Sequence, residues 1–78
     1  MTTSIAELKE LMISNGLRKD LVQDIDPAEP MAQQGFDSLD WPAIIVAVEG
    51  RYGVKISDTD ALRLKTLNDF EKYINTAG

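Results

Sequence analysis

The sequence predicts an all-α fold: a four-helix bundle, three main helices and one short one, with a long loop between helices one and two. Three observations lead there. Apolar residues recur at helical spacing in separate stretches, Ser, Thr and Asp stand just ahead of those stretches where caps belong, and Gly or Pro stands where the patterns stop. At 78 residues the chain can build one domain, residues 1–78, with a modest core, because folding buries only roughly 60% of the unfolded surface at this size.

Helix one begins at Ser4-Ile5-Ala6-Glu7, a capping box in which the Ser hydroxyl and the Glu carboxylate can each satisfy a free backbone N–H. Ile5, Leu8, Leu11 and Met12 form its apolar stripe, and Gly16 supplies a left-handed cap that ends it near Asn15. Over residues 17–36 the periodicity weakens and Pro27 and Pro30 break helix, so this stretch reads as a long ordered loop. Leu21, Val22 and Ile25 could form a short inward-packed turn there. Leu17, Leu21, Ile25 and Met31 are the expected anchors, since a loop of this length inside a small domain needs tying down.

Helix two starts somewhere in residues 37–40 and runs to Tyr52, ahead of Gly53. Its expected core face is Trp41, Ile44, Ile45, Val48 and Tyr52. Leu39, Ala43, Val46, Ala47 and Gly50 fall on the other side, where a solvated helix would carry Lys and Glu. That strip either docks a partner or is covered by the long loop. Pro42 cannot donate to the Ser38 carbonyl, so helix two either begins late, capped by Asp40, or has a distorted turn over residues 38–41. Val54-Lys55-Ile56 is an extended link. Ser57 then caps a short helix three carrying Ala61, Leu62 and Leu64, and Thr66 opens helix four with Leu67, Phe70, Tyr73 and Ile74 inward, fraying at Thr76, Ala77 and Gly78.

The composition closes off several functions. Without Cys there is no disulfide, thiolate metal site or thiol nucleophile, and without His the usual physiological general base is missing. An enzyme is not expected. No metal site is expected either. The net charge of -5 opposes binding to nucleic acid phosphates. Residues 43–48 are the longest apolar run, too short to cross a bilayer, and the first residues lack the pattern of a signal peptide. A cytoplasmic monomer is expected.

Charge is unevenly placed. Between Lys19 and Arg51 there is no base, while Asp20, Asp24, Asp26, Glu29, Asp37, Asp40 and Glu49 all lie there. Such a run either solvates a loop or steers basic partners.

Within Gly35-Phe36-Asp37-Ser38-Leu39-Asp40-Trp41, a serine sits between two carboxylates where loop turns to helix. Taken alone, Asp37, Ser38 and Asp40 are good helix-start residues and need do nothing but cap. In an acidic chain of this size, with a capped short third helix and a fourth beyond it, the pattern G-x-D-S-L-D resembles the acyl carrier protein family. The resemblance covers nearly the whole chain and is clearest over residues 35–74. It implies a free-standing carrier in which Ser38 bears a 4'-phosphopantetheine arm from coenzyme A, added by a phosphopantetheinyl transferase, the holo-carrier synthase, with bound Mg²⁺. The imported thiol fits a chain that has none.

The resemblance further implies that Asp37 and Asp40 position the site for the synthase and that Leu39 and Val46 touch partners; the outer strip of helix two adds Ala43, where a small residue lets a partner approach closely, and Glu49 at its acidic edge. Acyl-loading and acyl-processing enzymes with basic surfaces are the implied partners. Some positions depart from the family pattern: Gln34 stands where Leu is frequent, with Phe36 available to fill the volume, Ala43 where fatty-acid carriers often have Glu, and Gly50 where an acid is common. Pro42 is a further departure. These point away from housekeeping fatty acid biosynthesis and toward polyketide or other specialised lipid biosynthesis. Three rivals remain: an aminoacyl, peptidyl or D-alanyl carrier, an unmodified helical interaction module, and a small enzyme using Ser38, Asp37 and Asp40, which lacks a suitable base.

Overall fold

The structure, a computed structural model, describes residues 2–77, which form α1 (Ile5–Ser14), α2 (Lys19–Gln23), a 3₁₀ turn (Met31–Gln34), α3 (Asp40–Tyr52), α4 (Asp58–Ala61) and α5 (Leu67–Ala77). The three main helices and the short fourth element stand where the sequence puts them. The first connection is more structured than a loop, because it folds into α2 and the 3₁₀ turn.

Each main helix starts and stops for a local reason. The Ser4 hydroxyl accepts from Glu7 N–H at 3.2 Å, but the Glu7 carboxylate takes the Thr3 hydroxyl, so only half of the expected capping box forms. At the other end Gly16 adopts φ 88°, with Leu17 N–H donating to Met12 O and Gly16 N–H to Ile13 O, both at 3.1 Å. This double closure satisfies carbonyls that a helix end leaves open. Gly53, at φ 67°, closes α3 onto Glu49 O in a similar left-handed conformation. Thr66 and Asp69 form a reciprocal cap for α5: the Thr hydroxyl accepts from Asp69 N–H and the Asp carboxylate from Thr66 N–H, each at 3.0 Å. The last turn holds through Ala77, with the Thr76 hydroxyl on Lys72 O, so the expected fraying does not occur there; Gly78 lies outside the described residues.

The core lies between α1, α3 and α5. Leu8 and Met12, Ile44, Val48 and Tyr52, and Leu67, Phe70 and Ile74 are buried together. Val22, Ile25, Met31 and Phe36 from the connection, Val54 and Ile56 from the link before α4, and Leu64 complete it; Leu64, expected within the short helix, lies past its end, between α4 and α5. Leu17 is buried as expected of an anchor, while Leu21 is half-buried. Trp41 and Ile45 are also half-buried and edge the core instead of filling it. Ala47, expected on the outer strip, is buried: it follows Ile44 by three positions and precedes Val48, so its small side chain turns to the flank of the core. Leu62, expected inward, lies just past α4 and is 76% exposed.

Polar bonds join distant segments. Thr3 N–H donates to Asn75 Oδ1 at 2.6 Å, Asn75 Nδ2 returns to Thr3 O, and the Thr3 hydroxyl meets the buried Tyr52 hydroxyl. Tyr73 donates to Lys55 O and to Asp60 Oδ2, tying α5 to α4, and the bond to that carboxylate is the main cause holding its pKa above the usual tyrosine value.

Candidate functional site

The serine turn is built by its two acids. Asp37 Oδ1 accepts from Leu39 N–H at 2.9 Å and from Asp40 N–H at 3.3 Å, and Asp40 Oδ2 accepts from Asp37 N–H at 2.9 Å. A backbone bond from Asp40 N–H to Asp37 O, at 3.0 Å, closes the same turn. The two carboxylates therefore satisfy donors that a helix start leaves free, in a reciprocal box around Ser38. Ser38 itself is exposed, and among the described residues its hydroxyl makes no hydrogen bond. Its neighbours are fixed and its own oxygen is free.

Regular helix begins only at Asp40, so Pro42 falls in the first turn, where a missing N–H costs nothing. A late start was one of the two alternatives the proline allowed. The cap differs from expectation, however. Leu39 occupies the cap position without a side-chain bond, and the capping carboxylate comes from Asp37.

The preceding connection reaches this turn through Arg18. Its Nη2 donates to Gly35 O at 2.6 Å and lies 3.4 Å from Asp40 Oδ2. Gly35 has φ 98°, and a Cβ built there would sit 3.2 Å from Leu21 Cδ1, so glycine answers both the backbone conformation and the close approach of α2. Upstream, Gln34 is a clamp: its Oε1 accepts from Asp26 N–H at 2.7 Å, and its Nε2 donates to Asp26 O and Glu29 O at 3.1 and 3.0 Å. Phe36 is buried, as expected of a residue supplying apolar volume beside Gln34. Lys9 Nζ caps the end of α2 at Gln23 O and Ile25 O. Met31 N–H donates to Lys65 O and Asn68 N–H to Pro27 O, which moors the 3₁₀ side of the connection to the region between α4 and α5.

The outer strip of α3 is open. Leu39 is 82% and Val46 67% exposed, and Ala43 and Gly50 are exposed beside them. The connection does not cover them. Glu49, expected at the rim, is half-buried and its Oε2 accepts from Ile56 N–H at 2.9 Å, so one carboxylate oxygen is used internally. Ser38 lies at the edge of two open apolar depressions that meet at Trp41, one shared with Ala32 and Phe36, the other with Ile45, Val46 and Ala61.

Arg18 and Leu21 escaped the sequence reading as parts of this site because they lie in a stretch without clear periodicity and far from Ser38 along the chain; Gln34 stands four residues before Ser38, but its bonds to Asp26 and Glu29 leave no local pattern. Only Gly35 hinted at a constrained backbone there.

A hydroxyl left free at a fixed, exposed turn suits covalent attachment of a flexible group: an approaching enzyme can reach the oxygen and the group attached there can swing. Among the described residues, no helix is long and apolar enough to cross a membrane. The phosphopantetheine attachment site family matches residues 17–74. The chain is 37% identical over 65 residues to the acyl carrier protein of Helicobacter pylori (strain ATCC 700392 / 26695), covering 83% of each chain. It is 34% identical over 74 residues to the acyl carrier protein of Rickettsia typhi (strain ATCC VR-144 / Wilmington), covering 94% of this chain and 86% of that one.

Proposed function

The chain belongs to the acyl carrier protein family, with its covalently attached 4'-phosphopantetheine, and on that premise we propose that Ser38 bears the group and that the protein hands its cargo to the enzymes of a specialised pathway. The observation that carries the assignment is the free, exposed Ser38 hydroxyl inside the box formed by Asp37 and Asp40. When attached, the group supplies the thiol that the Cys-free chain lacks, on which acyl groups are held as thioesters. The residues of the chain itself do the rest. Asp37 and Asp40 hold the turn so that the hydroxyl projects, and the half-buried Trp41 beside it gives the attached group an apolar surface to lie against. Apolar contact at Leu39 and Val46, close approach at Ala43, and acids around them would dock a partner with a basic rim, charge acting mainly on the rate of encounter. Ala43 and Gly50 in place of acids underlie the reading of a specialised pathway over housekeeping fatty acid synthesis.

The test is intact mass after incubation with coenzyme A and a broad-specificity phosphopantetheinyl transferase. Wild type should gain one phosphopantetheine and Ser38→Ala none. Because the Ser38 hydroxyl makes no hydrogen bond among the described residues, the variant should keep its stability within about 0.5 kcal/mol. A wild type that gains no mass would favour an unmodified interaction module, and an alanine variant that still gains it would move the site elsewhere.

A further inference from the structure

Residues 35–40 are held from one direction by their own carboxylates and from another by α2. Two contacts make the second hold. Arg18, at the start of α2, puts one guanidinium nitrogen on Gly35 O and close to Asp40 Oδ2, at opposite ends of the segment that contains Ser38. One turn further on, the Leu21 side chain fills the space beside the Gly35 Cα. Arg18 is one of eight Lys and Arg residues in the chain, and among the described residues it alone makes an ion pair. Asp40 Oδ2, the oxygen facing Arg18, is also the one that accepts from Asp37 N–H. A displacement of the guanidinium thus passes through one atom into the box around Ser38.

We propose that Arg18 is a positioning residue for modification of Ser38, bracing the attachment turn from α2 so that the hydroxyl is presented in a single arrangement. This rests on Ser38 being the attachment site. In the reaction the Ser38 oxygen forms a bond to the phosphorus nearer the pantetheine of coenzyme A. The P–O bond within the pyrophosphate breaks, adenosine 3',5'-bisphosphate leaves, and the hydroxyl proton passes to a base of the transferase. Arg18 touches none of these atoms. It acts on the fraction of molecules whose turn is already in the form the transferase accepts, and a fall in that fraction raises the apparent KM for the carrier in proportion while leaving kcat alone.

Arginine suits the place because one Nη2, with two N–H groups held in the guanidinium plane, can donate to the carbonyl and face the carboxylate together, whereas an ammonium on a flexible stem is a point charge. Arg18 is more than half exposed, so its removal should cost little global stability. That separates bracing from folding.

The experiment compares wild type, Arg18→Ala and Arg18→Lys. It measures kcat and KM for phosphopantetheine transfer, and amide hydrogen exchange at Leu39 and Asp40, whose N–H groups bond to Asp37. Arg18→Ala should raise KM about five-fold at constant kcat, the scale of one favourable surface ion pair. It should also speed exchange at both amides and melt close to wild type. Arg18→Lys should fall between the two in both readouts. Unchanged exchange at Leu39 and Asp40 would overturn the brace, and so would a KM that stays the same or falls. If wild type takes up no phosphopantetheine at all, the reading of Ser38 fails on its own, while the exchange data still decide whether Arg18 braces the turn.

Discussion

The interior between α1, α3 and α5 and the turn around Ser38 are held together by different physics. In the interior, Phe70 and Ile74 are fully buried against Leu8, Met12 and Val48, and the association is the removal of apolar surface from water, which is large and indifferent to direction. At the turn the side chains are exposed or half-exposed, and order comes from directed bonds of Asp37, Asp40 and Arg18 to nearby N–H and C=O groups. Each such bond, with one charged partner, is worth only about 0.5–3 kcal/mol net. The difference explains how a chain this small can keep an ordered serine turn in the open: stability is stored in the interior, and the geometry of the exposed turn is fixed by directed bonds.

The comparison breaks most visibly at its apolar side. Phe70→Ala should lose about 3–5 kcal/mol, a large share of the stability of a small domain, and urea denaturation should find much of the chain unfolded. A loss under about 1 kcal/mol would mean that the interior is not the main store.

Between the two regimes stands Gln34, whose amide bonds Asp26 and Glu29 across the connection. Gln34→Ala should cost about 1–2 kcal/mol by leaving those groups to solvent, with faster exchange at the Asp26 amide. Gln34→Leu, although it restores the residue frequent in the family, should lose a similar amount, because Phe36 already fills the apolar space and Leu replaces none of the bonds. If Gln34→Leu were more stable than wild type, the connection would be held by burial after all, and the contrast would shrink.

The smallest effect on folding is expected on the outer strip. Val46→Glu should shift stability by no more than about 0.5 kcal/mol, since the residue is 67% exposed, yet reduce cargo transfer to the native partner. Ala43→Glu should be equally neutral for folding while weakening that partner and improving transfer with fatty acid synthesis enzymes. Equal transfer rates for both variants and wild type would remove the docking role from this face.

Much of this contrast could be read from the chain. The helices announced themselves because a 3.6-residue period and its caps are local: Ser4, Ser57 and Thr66 sit next to the N–H groups they satisfy, and Gly16 and Gly53 take positive φ where the sequence asked for it. Ser38 was legible for the same reason, its flanking acids being three residues apart. The connection was not. Its α2 is only five residues long, and a helix so short is not stable by its own propensity, so it forms because Val22 finds the core and Lys9 finds its last carbonyl, that of Gln23.

The sequence by itself determined the all-α class and the main helix starts and ends, since each depends on neighbours a few positions away. Only the tertiary structure decided that Ala47 turns inward while Val46 stays open, and that Arg18 reaches the turn from 22 residues upstream of Asp40. Those outcomes depend on which segments meet in space, and a contact between distant segments carries no trace of its partner in the local pattern.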